Sequence, residues 1–241
     1  MTGLLLETER LPENQAENVT RLINFIEHNI GALTHTERSI YTTLWMTIAR
    51  ASAPVVVANL NYRADTLRVA LNKLMHHRLI WFDEDLRAVL QCPPFSALHS
   101  AHEVKAFGWD RAYVCSPLDA SLSLLVYGPN TWLNAESTCP RSGEVLRFRV
   151  MLDAYHCLKL EAPADSKHWR VWLPNSPDGD LSVEANGLRS KINIFNTQAD
   201  FETYQQYNPL PASGTLYTLE QAVYLSECLL RAFEHALSTD R

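Results

Sequence analysis

The sequence predicts an α+β chain in two parts, a helical first part and a strand-rich second part. Three observations predict it. Apolar residues recur at helical spacing up to residue 76, alternate with polar ones from about residue 93, and return to helical spacing at the C-terminal end. Residues 14–31 place Val19, Leu22, Ile23, Phe25, Ile26 and Ile30 on one amphipathic stripe, with Gly31 as a C-terminal cap. A second helix is expected from Thr36 to Ala51, with Ile40, Leu44, Trp45 and Ile48 inward. Ala53 to Leu60 reads as a short helix led by Pro54, and Asn61-Tyr62-Arg63-Ala64 as a turn. Asp65 then caps a third helix carrying Leu67, Ala70, Leu71 and Leu74. Leu79 to Phe82 and Ala88 to Gln91 flank Asp83-Glu84-Asp85 as a hairpin. Helices followed by a hairpin make residues 1–92 a winged-helix-like module.

From residue 93 to 241 the expected domain is α+β with a mixed or antiparallel sheet. Val104 to Phe107 and Arg111 to Val114 form a hairpin around Gly108-Trp109-Asp110. Leu118 to Tyr127 is an apolar run opened by Pro117 and closed at Gly128, which predicts a buried helix. Thr131 to Ser137, Glu144 to Val150, Cys157 to Glu161, His168 to Leu173 and Lys191 to Phe195 read as strands. Thr218 with Gln221 gives a capping-box pattern before a last helix that turns Val223, Leu229, Leu230 and Phe233 inward.

Composition narrows the classes of function. The chain has 241 residues, 46% of them hydrophobic and 20% charged, as in an ordinary globular protein with a substantial core. A formal net charge of −6 argues against a protein dominated by nucleic-acid or anionic-membrane binding. Met1 to Arg10 lacks a basic region followed by a long apolar run, so no signal peptide is expected, and no apolar run reaches the roughly 18 residues of a spanning helix. Five cysteines without a regular framework fit reduced thiols and a cytoplasmic location. The third helix offers Arg63, Arg68, Asn72, Lys73 and His76 to phosphates or bases, but three consecutive acids tip the wing and would repel them. Packing or a homodimer contact is therefore the expected role of the module, ahead of nucleic-acid binding.

The chemistry concentrates in Ala112-Tyr113-Val114-Cys115-Ser116-Pro117-Leu118-Asp119-Ala120, which puts a thiol, a hydroxyl and a carboxylate within a turn or two of backbone. A thiolate is a soft ligand and a nucleophile, and a neighbouring carboxyl can hold or deliver a proton. Each residue also has a plainer reading. Cys115 can be a small buried apolar residue at a strand end, and Asp119 a helix-start carboxylate capping backbone N–H groups. Cys139-Pro140-Arg141-Ser142-Gly143 reads as a turn with a structural cysteine, and Cys92 and Cys228 as core. His76-His77 and His99 with His102 lack a cysteine or acid at metal-ligand spacing, and Asp178-Gly179-Asp180 is too short for a calcium loop. No phosphate cradle or nucleophile elbow occurs, and no cofactor is expected.

The order of motifs around this segment resembles the organomercurial (alkylmercury) lyase family. Pro93-Pro94-Phe95-Ser96-Ala97, His102, Val104 and Gly108 precede it. Tyr127-Gly128, Glu136-Ser137-Thr138-Cys139-Pro140 with Gly143, Phe195-Asn196-Thr197, Ala199-Asp200, Tyr204, Asn208-Pro209 and a final helix from Leu216 to Phe233 follow. The likeness runs from about residue 38 onward and lies in order and spacing rather than in any one motif. It implies an alkylmercury-lyase-like α+β domain with two thiolates and one carboxyl: thiolates bind mercury and weaken its bond to carbon, and the acid protonates the departing carbon. Asp119 carries over. The family's first cysteine stands three residues before the aspartate, at Ser116 here, with Cys115 one residue earlier. The segment matching the second cysteine reads Gly187-Leu188-Arg189-Ser190-Lys191, without a thiol.

Three readings follow. The first is carbon–mercury protonolysis, with Asp119 as proton donor and Cys115 as thiolate and metal ligand. The second is a repurposed enzyme acting on a small organic molecule without mercury, through Ser116, Asp119 and a substrate-binding Lys191. The third is a non-catalytic regulator in which the winged helix meets DNA and the second domain senses a metal or thiol reagent.

Overall fold

A computed structural model describes residues 13–175, 189–208 and 213–238. Met1 to Arg10, Asp178-Gly179-Asp180, Gly187, Leu188 and Pro209 lie outside the described residues.

The helices begin where apolar periodicity begins. Helix α1 (Glu13–Gly31) buries Val19, Leu22, Ile23, Ile26 and Ile30, and packs along the last helix, α7 (Leu219–Ser238). Helix α2 (His35–Ala51) starts at a complete capping box: the Glu37 N–H donates to Thr34 Oγ1, and the Thr34 N–H donates to Glu37 Oε2 at 2.7 Å. Lys73, one of the residues the third helix could offer to a phosphate, donates instead to Glu37 Oε2 at 2.9 Å and to the Ala32 carbonyl at 2.8 Å. Burial alone would raise the Glu37 carboxyl, but Lys73 and the Thr34 donors together hold it below its ordinary value. The stability this supplies is full above the unfolded-state pKa near 4.5 and is lost as pH falls through the lower folded value. Glu37→Gln should therefore cost about 1 kcal/mol at neutral pH, the scale of a helix cap, and nothing in strong acid. Urea melts of both proteins across pH check this; a cost independent of pH would refute it.

Two expectations in the module are corrected. Ala53 to Leu60 is not a helix led by Pro54: it is strand β1 (Val55–Val56) followed by a single 3-10 turn, Val57–Asn59. Val55 and Val56 gain a ladder with Val89 and Ala88, which a helix there would forgo. Asp65 is not the cap of α3 (Ala64–His76). Arg63 holds that position without a side-chain bond, and Asp65 sits in the first turn, where its charge suits the helix dipole. The outer face of α3 exposes Arg63, Arg68, Asn72 and His76, but also Val69 and Met75.

Among the described residues the strands form two sheets, and every pairing is antiparallel. The larger, nine-stranded sheet takes in the wing strands β2 (Trp81–Phe82) and β3 (Ala88–Cys92), so it runs continuously across residue 92. It continues through β4 (Phe95–Ser96), β6 (Ala112–Val114), β5 (His102–Ala106), β7 (Leu133–Thr138), β8 (Val145–Leu152) and β9 (Leu158–Glu161). In β8 the burial pattern alternates strictly, outward Arg147 and Arg149 against inward Leu146, Phe148 and Val150, the period of a sheet with one wet face.

The smaller sheet is β11 (Asn193–Phe195), β10 (Arg170–Pro174) and β12 (Gly214–Thr218). Its apolar face is covered by α6 (Gln198–Tyr207), where Phe201 packs on Trp172 and Phe195 at centroid distances of 4.8 and 5.3 Å. Gly214 is required there, since a Cβ would lie 2.2 Å from the Trp172 ring. The final helix begins later than the expected Leu216. Residues 216–218 belong to β12, and the Thr218–Gln221 box, with N–H donations at 2.9 and 3.2 Å, starts α7.

Candidate functional site

The apolar run after Pro117 is not one helix but two short ones, α4 (Asp119–Leu122) and α5 (Leu124–Tyr127), divided at Ser123. The chain leaves β6 at Val114, passes Cys115 and Ser116, and enters α4 at Asp119. Helix α7 packs on α4, and the buried Ser226 hydroxyl donates to the Leu118 carbonyl at 3.5 Å. This fixes the entry to α4 from behind.

Asp119 is 0% exposed. A carboxylate removed from water needs donors, and two side chains supply them. The Ser116 hydroxyl, 1% exposed, donates to Oδ2 at 2.7 Å, and the Arg189 guanidinium pairs with Oδ1. Ser116 reaches it because the two residues are three apart at the helix start, where their side chains share a side. Arg189 arrives from the other sheet, in the 3-10 turn Arg189–Lys191 that leads into β11. Burial pushes the Asp119 carboxyl up, and the guanidinium and the Ser116 donors pull against it without overcoming burial. Burial acts to lower the Arg189 guanidinium, but Asp119 holds it above its ordinary value, and it stays charged.

Cys115 lies beside this pair and is only half-buried, the most accessible of the three residues from its segment. Its backbone N–H donates to the Pro94 carbonyl at 3.0 Å, and its thiol donates to the Phe95 carbonyl at 3.3 Å. Burial, and then the neighbouring Asp119 charge, push the thiol well above its ordinary value, while Arg189 acts in the opposite sense. At rest the cluster therefore pairs a protonated sulfur with a hydrogen-bonded carboxyl. Tyr41 of α2 completes the wall. It is fully buried, its hydroxyl donates to the Pro93 carbonyl at 3.2 Å, and burial pushes that hydroxyl well above its ordinary value.

The structure thus brings Cys115, Ser116 and Asp119 together. Lys191 sits half-buried at the end of the turn that supplies Arg189, and among the described residues the contact from that turn to Asp119 comes from Arg189. The sequence reading missed Arg189 and Tyr41. The one available signal was an arginine two positions before Lys191, in the segment aligned with the family's second thiol. Nothing local in sequence joins that segment to residue 119, seventy positions away.

The remaining motif residues are structural. Cys139 closes the β7–β8 turn, its N–H donating to the Glu144 carbonyl at 2.8 Å, with Gly143 at a φ of 73° that other residues adopt at a cost. Ser137 bonds His102 at 3.0 Å, and burial lowers that imidazole to about 4, which keeps it neutral. Cys157 lies in the β8–β9 turn, at the end of the sheet away from Cys115. Cys228 is buried on α7. Among the described residues no group of three or more His, Cys, Asp or Glu side chains is placed to hold a metal ion, and no helix is long and apolar enough to cross a membrane.

No protein-family model matches the chain, and no curated protein matches it. Among solved structures it is similar to the mercury-bound form of MerB2, with a TM-score of 0.65 at 17% identity over 89% of this chain and 99% of that one. The chain is an α+β protein of helices and antiparallel sheets whose fold is similar to that of MerB2.

Proposed function

We propose that the protein captures an organomercurial on Cys115 and cleaves its carbon–mercury bond by protonolysis, with Asp119 handling the proton. The observation that carries this reading is a half-buried cysteine beside a wholly buried, hydrogen-bonded carboxyl. The similarity of fold to the mercury-bound MerB2 supports it.

The steps balance as follows. Mercury in R–Hg–S–R′ is attacked by the Cys115 sulfur, giving R–Hg–S–Cys115 and the thiolate R′S⁻, while the Cys115 proton passes to Asp119. The soft sulfur–mercury bond weakens the bond to carbon. The Asp119 carboxylic acid then donates its proton to the carbon, which keeps the electron pair of the broken bond and leaves as R–H. Mercury stays on sulfur as a cation, near a carboxylate that is charged again. Burial favours the acid form that this step needs, and Arg189 and Ser116 stabilise the carboxylate that remains.

The test is release of benzene from a phenylmercury–thiol adduct in the presence of excess thiol. Wild-type protein should release it, and Cys115→Ser should release none and retain no phenylmercury in mass spectra of the intact protein. Absence of turnover by the wild type would refute the reading.

A second reading is favoured by Arg189, a buried cation in the segment where the related lyases carry a thiol. Here the cluster acts on a small organic molecule without mercury, with Cys115 as nucleophile and Asp119 as proton acceptor. An acyl or alkyl adduct on Cys115 after incubation with electrophilic small molecules, formed without mercurial turnover, would favour it over the first.

A further inference from the structure

The N-terminal module turns apolar side chains to solvent that its own fold does not cover. Of the eight large hydrophobic residues left exposed among the described residues, Val56, Val69, Met75 and Leu86 belong to it. Leu86 sits at the wing tip, 59% exposed, with a backbone φ of 56°. That left-handed conformation crowds any residue with a β-carbon and suits glycine. The turn holds it there. The Leu86 N–H donates to the Asp83 carbonyl at 3.1 Å, and Asp83 Oδ1 accepts from the N–H groups of Arg87 and Ala88 at 2.7 and 3.0 Å. A leucine fixed in a costly conformation and exposed to water serves neither folding nor solubility, which marks it for a contact with another molecule.

The hollow that such a side chain would fill lies beside it. A groove of about 400 Å³ opens between the wing and α3, with Leu60, Leu67, Leu71 and Phe82 in its lining and Met75 and Leu86 as its exposed apolar members. Arg68 of α3 lines the same groove. Beyond Met75, Phe82 and Leu86, which both share, a second hollow is lined by the acids Asp83 and Glu84 against the single cation Arg78. The face therefore runs from Arg68 across an apolar groove to the Leu86 knob and on to Glu84. A two-fold rotation about an axis between groove and knob exchanges the groove with Leu86 and Arg68 with Glu84, so the face complements itself in shape and in charge. Arg68 is loosely held within one copy, 4.0 Å from Asp65 with both side chains mostly in water, and little is lost when it turns to a partner.

We propose that this face is a homodimer interface: two copies of the chain pair isologously, Leu86 of each copy entering the groove of the other and Arg68 of each meeting Glu84 of the other. The acidic wing tip that opposes a phosphate backbone then has a use, as the complement of the basic end of the same face. The inference does not depend on the chemistry at Cys115.

Sedimentation velocity of the full chain at rising protein concentration tests it. Wild type should pass from monomer to dimer mass, and monomer at every concentration would overturn the proposal. Leu86→Asp should weaken association by about thirtyfold or more, the scale of losing one central anchor. Leu86→Gly separates contact from fold. Glycine relieves the left-handed backbone, so the melting temperature should hold or rise while the dimer weakens. Association of either Leu86 variant at wild-type strength would overturn the proposal. Arg68→Glu and Glu84→Arg should each weaken the dimer about tenfold or more, because like charges then face each other across the interface. The double variant, R68E with E84R, restores opposite charges in both halves and should recover association. A double variant no stronger than the two singles would overturn the proposed pairing.

Discussion

Asp119→Asn should leave phenylmercury bound to Cys115 and its carbon–mercury bond intact. The amide keeps the shape of the carboxyl and can still accept a hydrogen bond, but it has no proton to give to carbon. General acid catalysis by a positioned side chain is worth about 10²- to 10⁴-fold, so single-turnover benzene release should fall by at least that factor. The intact-mass adduct should persist, which separates loss of chemistry from loss of binding. Ser116→Ala offers a gentler control: it removes one donor to Oδ2 and leaves the acid itself. Its rate should fall far less than that of Asp119→Asn. Benzene release by Asp119→Asn at the wild-type rate would reduce residue 119 to a structural group.

Arg189→Met should be the most destabilising single change near the site. It leaves a carboxyl with 0% exposure without its cation, and removing one partner of a buried pair costs about 3–5 kcal/mol. For a chain of this size that corresponds to a drop in melting temperature on the order of 10 °C. The cost depends on pH, with a definite sign. In the wild type the folded Asp119 carboxyl is already raised by burial, against the pull of Arg189. Without Arg189 nothing but the Ser116 donors opposes burial, so the folded value rises further. Stability from a raised carboxyl is full below its unfolded value near 3.8 and is lost as pH rises through the folded value. The gap between variant and wild type should therefore be wide at neutral pH and narrow on acidification. Adding Asp119→Leu should restore much of the loss, because both charges are then gone. Melts of the three proteins at several pH values check this, and a small, pH-independent gap would show that the pair does not support the fold.

Local pattern made much of the fold legible. The stripe from Val19 to Ile30 can bury only as a helix, and the alternation through Leu146, Phe148 and Val150 only as a strand with one wet face. Both signals are periodic and need no distant partner. Pattern failed where tertiary pairing competed with it. Val55 and Val56 joined β3 instead of starting a helix, because an available strand edge satisfied their backbone groups. Leu118 to Tyr127 split into two short helices where a continuous apolar run had suggested one.

The sequence by itself determined the α+β order of elements and the joint placement of Cys115, Ser116 and Asp119. Those three lie within five residues, so a strand end and a helix start are enough to gather them. Only the tertiary structure decided that Asp119 is wholly buried and that Arg189 answers its charge from a second sheet. The physical reason is range. Periodicity and capping act over one or two turns of chain, whereas a buried charge is matched by whichever partner the packing of separate sheets brings to it, at any distance in sequence.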